Sequence, residues 1–186
     1  MSAKARDARA RLQAAPKPPS QAASRKQGVV TPIATARVLF INGPNANLYG
    51  HTGRATCGSE TFEQLGERSR RAAEGNAIAL DFRQSNSEGD VVDAIQQAIG
   101  TKDGTKDGII INGGSLTCTS IAVLDALQAF PGPIVEVHMG NLYRREASRQ
   151  SSCISRVATG IVAGLGADGY EMAVLAMRRL LDRPKA

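Results

Sequence analysis

Short apolar segments that end in polar residues alternate along this chain with segments of helical spacing. The clearest apolar segment lies between Pro133 and Arg149, where Ile134, Val135 and Val137 follow a Pro-Gly-Pro break. A short, nearly continuous apolar run after a turn signal is typical of a buried strand in a parallel sheet. Similar runs predict strands over residues 38–41, 77–82, 109–111 and 160–162, and helical spacing predicts helices over 61–74, 91–99, 119–130 and 169–181. This alternation predicts an α/β fold with a right-handed, doubly wound parallel sheet.

Polar side chains follow three of these strands at the point where each strand ends. Asn45 and Asn112 follow the first and third strands, and Glu136 and His138 close the fourth. Ligands of open α/β sheets bind outside the carboxyl ends of the strands. His138 is one of only two histidines, and imidazole is suited to proton transfer near neutral pH. A hydrogen-bonded histidine at the end of a core strand is the alternative interpretation.

Arginines follow this strand end, at positions 144, 145 and 149. Guanidinium groups bind carboxylates and phosphates well, so the segment favours an anionic ligand. The chain has no P-loop, no Gly-x-Ser-x-Gly motif, no dinucleotide fingerprint and no metal-ligand spacing. We therefore expect proton chemistry on a small anionic molecule, with no cofactor and no metal.

The positive charge of the chain is concentrated at its N-terminus. The formal net charge is +6, and residues 1–28 contain seven Lys or Arg residues against one Asp. We therefore predict a disordered basic tail over residues 1–35 and a neutral domain over 36–186, with no specific nucleic-acid partner. Weak binding to polyanions and a role as an Arg-rich targeting sequence are alternatives for the tail.

The cysteine count and the hydropathy of the chain indicate the cellular compartment in which we expect the protein. Three cysteines, an odd number without metal spacing, favour free thiols in a reducing compartment. Apolar runs are too short for a membrane-spanning helix, and the N-terminus lacks the apolar core of a secretory signal. We therefore expect a cytoplasmic protein without a membrane partner.

Ordered motifs over residues 37–181 resemble those of one enzyme family. They are Asn42-Gly43-Pro44-Asn45, Gln84-Ser85-Asn86, Asn112-x-Gly114, Thr117-x-Thr119-Ser120, Glu136-Val137-His138, Arg145-Glu146 and Gly160-x-x-x-Gly164-x-Gly166-x-x-Gly169-Tyr170. The chain resembles the type II 3-dehydroquinases. That resemblance implies a flavodoxin-like three-layer fold with a doubly wound parallel five-stranded sheet.

The resemblance also implies an activity and an assembly. The family eliminates water from 3-dehydroquinate in a trans sense, through an enolate, to give 3-dehydroshikimate in the shikimate and quinate pathways. It uses no metal and no Schiff base. A homododecamer built from trimers is implied, with neighbouring subunits lying against the pocket.

The resemblance assigns roles to individual residues. His138 would be the general acid, oriented by Glu136, and Asn45 would hold the water that stabilises the enolate. Arg145 would support the lid. The groups that would bind substrate hydroxyls and carboxylate are Asn112, Asp125, Arg149 and the backbone at Met139 and Gly140.

Three polar positions depart from the family pattern. Cys57 stands in place of the lid tyrosine, Thr52 in place of the lid arginine, and Cys118 in place of a second histidine. A thiol has a lower ordinary pKa, about 8.5, than a phenol, about 10, so Cys57 is a candidate base. An inert Cys57 is the alternative, and Tyr49 and Tyr143 are other phenols nearby in sequence. The alternative function is a catalytically impaired paralogue that binds a pathway ligand.

Overall fold

Five parallel strands form one sheet in the part of the chain that the computed structural model describes, which is residues 34–51, 59–100 and 106–184. The strands are β1 Ala36–Asn42, β2 Ile78–Gln84, β3 Gly108–Asn112, β4 Ile134–His138 and β5 Gly160–Ala163. Their order across the sheet is β2-β1-β3-β4-β5. This is the flavodoxin-like order, with its switch point between β1 and β3. The predicted fold class is confirmed.

Helices cover both faces of the sheet. They are α1 Phe62–Gly75, α2 Glu88–Ile99, α3 Leu116–Thr119, α4 Ile121–Gln128 and α5 Asp168–Leu181. On one face, α1 and α5 contact each other, and on the other face α2 contacts α4. Alternate side chains of β1 supply the two cores: Leu39 and Ile41 pack with α2 and α4, whereas Val38 and Phe40 pack with α1 and α5. The result is a three-layer structure.

Local side-chain caps explain where two of the helices begin. Thr61 accepts a hydrogen bond from the Gln64 backbone N–H, and the Gln64 side chain accepts one from the Thr61 backbone N–H, which together form a capping box. The helix predicted from Val91 instead begins at Glu88, because the Ser87 hydroxyl caps the backbone N–H of Asp90.

The helix predicted over residues 119–130 is divided into two. Ser120 adopts an extended conformation, with φ −100° and ψ 105°, between α3 and α4. Its hydroxyl accepts a hydrogen bond from the Val123 backbone N–H at 2.9 Å. Because Ser120 caps α4 in this way, α3 ends one residue before it and α4 starts one residue after it.

One partly buried cation joins α1 to α5. Arg68 forms ion pairs of 2.6–2.8 Å with three carboxylates, those of Glu60, Asp168 and Glu171. Its side chain is 23% exposed. A planar guanidinium can satisfy several carboxylates at once, so this network fixes the two helices and the segment before α1 to one another.

Several predicted features lie outside the described residues. These are the lid positions Thr52 and Cys57, part of the tandem Thr-Lys-Asp-Gly repeat and nearly all of the basic tail. The boundary between tail and domain therefore stays a prediction. In the described residues, no helix is both long and apolar enough to cross a membrane.

Candidate active site

The carboxyl ends of β1 and β3 approach each other closely at the switch point. The Gly43 backbone N–H donates to the Asn112 carbonyl at 2.8 Å. A side chain at Gly43 would overlap the Gly113 carbonyl group, so this crossing requires glycine. Asn45 follows in the left-handed region, with φ 69°, and its backbone N–H donates to Asn86 Oδ1 at 2.9 Å. The turn therefore presents the exposed Asn45 side chain at the carboxyl edge of the sheet.

Buried amides and phenols form a network on the α1/α5 side of this edge. Tyr170, fully buried, donates its hydroxyl hydrogen to Asn42 Oδ1 at 2.7 Å. Asn112 Nδ2 donates to the hydroxyls of Tyr170 at 2.7 Å and Tyr49 at 3.0 Å. Asn112 is 4% exposed. These contacts hold Asn112, a predicted substrate-binding residue, in one orientation.

Glu136 and His138 form a buried pair at the end of β4, on the opposite side of the sheet. They lie two residues apart, so their side chains share one face of the strand. His138 Nε2 is 2.7 Å from Glu136 Oε1. Glu136 is fully buried and His138 is 6% exposed.

Two serine hydroxyls complete the surroundings of the Glu136 carboxylate. Ser152 Oγ donates to Oε1 at 2.6 Å, and Ser155 Oγ donates to Oε2. Burial by itself raises the pKa of Glu136, but the hydrogen bonds from His138, Ser152 and Ser155 outweigh it and hold the pKa below its usual value. Glu136 is therefore ionised at neutral pH although it is buried.

The charge of Glu136 determines which nitrogen of His138 carries a proton. An ionised carboxylate can only accept hydrogen bonds, so Nε2 is the protonated nitrogen in this pair. Nδ1 is then the nitrogen that carries no hydrogen in the neutral ring. The hydrogen bond to Glu136 holds the imidazole in one orientation at the end of β4.

A cavity of about 190 Å³ lies between the segment that follows β3 and the segment that follows β4, and Glu136 and His138 are not among its lining residues. Its lining includes two arginines and four hydroxyl-bearing side chains. The lining residues are Gly114, Ser115, Thr117, Cys118, Thr119, Leu142, Arg145, Ser148 and Arg149. The buried Thr117 Oγ1 has no hydrogen-bond partner among the described residues. Arg149 pairs with Glu146 at 2.8 Å, and its side chain is 54% exposed. Guanidinium groups beside hydroxyls suit a small molecule that carries both a carboxylate and hydroxyl groups.

Cys118 lies in the wall of the cavity. Burial is the largest effect on its thiol and raises the pKa. The nearby charges of Arg149 and Arg145 lower the pKa, whereas Cys153 and Glu136 raise it further, and the net shift is upward. Its Sγ is 3.8 Å from the Arg149 carbonyl oxygen. Because the pKa is raised, Cys118 is present as a neutral thiol at neutral pH.

The structure brings together many of the predicted site residues and leaves some apart. Asn45, Asn112, Glu136 and His138 lie at the carboxyl edge of the sheet, and Cys118, Arg145 and Arg149 line the adjacent cavity. Met139 and Gly140 are buried directly after β4. Asp125 lies instead on the exposed side of α4, several residues along the helix from the strand ends. Cys57 and Thr52 lie outside the described residues.

Sequence reasoning missed Ser152 and Ser155. Both follow the arginine segment, and the short 3₁₀ turn Ile154–Arg156 brings Ser155 under Glu136. A buried glutamate needs donors, and that requirement was the available signal. Several hydroxyl side chains in the same segment could donate to Glu136, so the sequence alone does not show which of them do.

Among the described residues, no group of three or more His, Cys, Asp or Glu side chains is arranged to hold a metal ion. The described site therefore consists of an imidazole–carboxylate pair, amides, arginines and a thiol.

Comparison with known proteins identifies the family. The sequence profile described as "Dehydroquinase class II" matches residues 36–178. The chain belongs to the class II dehydroquinase family. It is 41% identical over 150 residues to the 3-dehydroquinate dehydratase of Aliarcobacter butzleri, covering 81% of this chain and 89% of that protein. It is 45% identical over 139 residues to the 3-dehydroquinate dehydratase of Nitrosomonas europaea, covering 75% and 94%.

Solved structures agree with this assignment. The type II dehydroquinase of Butyrivibrio crossotus matches with a TM-score of 0.72 and 35% identity, covering 76% of this chain and 97% of that one. The type II dehydroquinase of Propionibacterium acnes matches with a TM-score of 0.73 and 31% identity, covering 80% and 99%. The resemblance inferred from the motifs is confirmed.

Proposed function

We propose that this class II dehydroquinase is a 3-dehydroquinate dehydratase, a carbon–oxygen lyase that forms 3-dehydroshikimate by trans elimination of water. The observation that carries the proposal is the buried His138–Glu136 pair, 2.7 Å apart at the carboxyl edge of the sheet. The dehydratase names of the relatives support it, and the comparisons do not favour the alternative of a non-catalytic paralogue.

The proposed reaction removes a proton from C2 and expels a hydroxyl from the neighbouring carbon of the same ring. Loss of the C2 proton leaves an enolate. His138 then gives its Nδ1 proton to the departing hydroxyl, which leaves as water, and the electron pair of the enolate forms the new carbon–carbon double bond. Glu136 stabilises the imidazolium before the transfer. Asn45 would hold a water against the enolate oxygen.

The cavity lining supports the proposed substrate class. Arg149 would hold a ring hydroxyl of the substrate, Arg145 would support the lid site, and their positive charges suit an anionic substrate. Asn112, Asp125 and the backbone at Met139 and Gly140 are further proposed contacts. The thiol of Cys57, outside the described residues, stays a candidate for the base.

The test uses the full chain and 3-dehydroquinate. Ultraviolet absorbance of the conjugated enone should grow in the presence of the purified protein. His138→Ala should lower kcat about 10²- to 10⁴-fold, the range for loss of a general acid. The matched control is His51→Ala, at the second histidine of the chain, which is exposed. Absence of enone formation by the unmodified protein, or full turnover by His138→Ala, would contradict the proposal.

Assembly and location are further proposals. We propose a homododecamer of trimers in the cytoplasm, acting in the shikimate or quinate pathway. Ile161 on edge strand β5 and Leu165 directly after it are about half exposed, and exposed apolar side chains of this kind support an interface. Light scattering should give a mass far above the 19.6 kDa of one chain, and a monomer at micromolar concentration would contradict the assembly.

A further inference from the structure

Two cysteines lie in segments that a backbone hydrogen bond joins. Cys118 belongs to α3, and Cys153 directly precedes the 3₁₀ turn Ile154–Arg156, 35 residues further along the chain. Both thiols are free and partly exposed. The backbone N–H of Cys153 donates to the Thr117 carbonyl at 2.8 Å, so the two segments are in direct contact.

This hydrogen bond brings the backbones of the two cysteines within reach of a disulfide. The Thr117 carbonyl and the nitrogen of Cys118 belong to one peptide group. Ordinary bond lengths therefore keep the Cα atoms of Cys118 and Cys153 within about 7 Å of each other, and the angle of the hydrogen bond at the Cys153 nitrogen shortens the distance further. Disulfides join cysteines whose Cα atoms are up to about 7 Å apart.

Each thiol already contacts the segment that holds the other. Cys153 Sγ is 3.9 Å from the Cys118 carbonyl oxygen, and Cys118 Sγ is 3.8 Å from the carbonyl oxygen of Arg149, in the segment that leads to Cys153. The charge of an ionised Cys153 also raises the pKa of the Cys118 thiol. Thiols are weak donors, so rotation about the two Cα–Cβ bonds can exchange these contacts at little cost.

We propose that Cys118 and Cys153 form an oxidative modification site, at which a peroxide converts the two thiols to an intramolecular disulfide. Hydrogen peroxide transfers one oxygen to the first sulfur, which becomes a sulfenic acid, and leaves as one molecule of water. The second thiol attacks that sulfur, the S–O bond breaks, the S–S bond forms, and the oxygen leaves with the thiol proton as a second water. The two sulfurs together lose the two electrons that reduce the peroxide.

This disulfide joins two parts of the candidate site. Cys118 lines the cavity together with Arg149. Cys153 directly follows Ser152, whose hydroxyl donates to Glu136 Oε1 at 2.6 Å. The covalent link replaces the weak contact between Cys118 and Arg149, so it should displace the cavity wall relative to the segment that supports Glu136 and lower turnover. The effect on turnover rests on the proposed function, whereas formation of the disulfide does not.

The test treats the full chain with hydrogen peroxide at about pH 8.5, where thiolate is populated although the pKa of Cys118 is raised. The remaining thiols are then alkylated and the protein is analysed by mass spectrometry. The disulfide form should be about 2 Da lighter than the reduced chain before alkylation, because two hydrogens are lost, and its digest should contain a peptide pair linked through Cys118 and Cys153. Dithiothreitol should restore the original mass.

The three cysteines of the chain provide the variants. Cys118→Ser and Cys153→Ser should each abolish the linked peptide pair, whereas Cys57→Ser, at the third cysteine, should retain it. In the unmodified protein, kcat for 3-dehydroquinate should fall about tenfold on oxidation, because small displacements of catalytic groups cost large factors in rate, and should return with dithiothreitol. Cys153→Ser is the matched control: it keeps the other two thiols but cannot form the link, so it should lose less activity.

Each outcome supports or overturns the proposal. A treated chain that has only gained oxygen, or a disulfide that involves Cys57, would overturn the modification site. Linked peptides with an unchanged kcat would overturn the effect on the candidate site, and so would an equal loss of kcat in the unmodified protein and in Cys153→Ser. If the reduced protein does not convert 3-dehydroquinate, the proposed function fails, and the mass of the treated chain still decides whether the disulfide forms.

Discussion

Removing a hydroxyl that supports the Glu136 carboxylate should affect stability and proton chemistry together. Glu136 is fully buried and accepts hydrogen bonds from His138, Ser152 and Ser155. Ser155→Ala removes one donor from a charged acceptor and leaves a small apolar side chain in its place. Because water does not reach this carboxylate, the lost hydrogen bond has no replacement.

The size of the effect follows from the charge of the acceptor. A hydrogen bond to a charged group contributes about 1.5–3 kcal/mol. A loss of about 2 kcal/mol corresponds to a decrease of about 4–8 °C in the thermal midpoint for a domain of this size. A weakened Glu136 also stabilises the His138 imidazolium less, so kcat should fall more than KM changes.

The effect on stability should depend on pH with a defined sign. In the native protein the pKa of Glu136 lies below its ordinary value of 4.5, so its contribution to stability is present above that value and is lost as the pH falls through the folded pKa. Ser155→Ala raises the folded pKa. The difference in stability between the two proteins should therefore be full at pH 7 and should shrink as the pH falls below about 5.

The assay is urea unfolding at pH 7 and pH 4, together with kcat against pH. Ser151→Ala is the matched control, because Ser151 lies in the same segment and is exposed, and it should match the unmodified protein. A stability difference that is the same at both pH values would refute the reasoning, because it would show that the charge of Glu136 is not what Ser155 supports.

Two substitutions should test the scaffold that positions the site. Arg68→Ala should lower the free energy of unfolding by about 1–2 kcal/mol, since it leaves three carboxylates without their cation, and 1 M salt should reduce the loss by screening. An undiminished loss in 1 M salt would show that packing of the Arg68 stem, and not charge, is responsible. Gly43→Ala should destabilise by about 1–3 kcal/mol, because the new methyl group overlaps the Gly113 carbonyl. A Gly43→Ala protein with an unchanged urea midpoint would contradict the close crossing of β1 and β3.

The fold could be predicted from sequence because its strands carry a strong local signal. Ile109, Ile110 and Ile111 are all fully buried, and a run that is apolar on both faces is typical of a central parallel strand. The motifs at the strand ends then predicted a candidate site, because parallel strands place their carboxyl ends at one edge. Local periodicity was a poorer predictor at Ser120, where a side-chain cap divides an otherwise helical segment into two helices.

The contacts within the amide–phenol network were not predictable, because they join residues far apart in sequence. Tyr49 and Asn112 are 63 residues apart, and Asn42 and Tyr170 are 128 apart. Propensity and periodicity describe neighbours along the chain and do not select such partners.

The strand register explains how one edge serves two chemical tasks. Ile111 of β3 pairs with Glu136 of β4, so Asn112 is level with Val137, whose side chain points to the opposite face from Glu136. The imidazole–carboxylate pair therefore belongs to the α2/α4 face, and the amide–phenol network belongs to the α1/α5 face. Each is rigid because it is buried in a separate core. The carboxyl edge of the sheet therefore holds both clusters in fixed orientations without placing a buried charge inside the amide network.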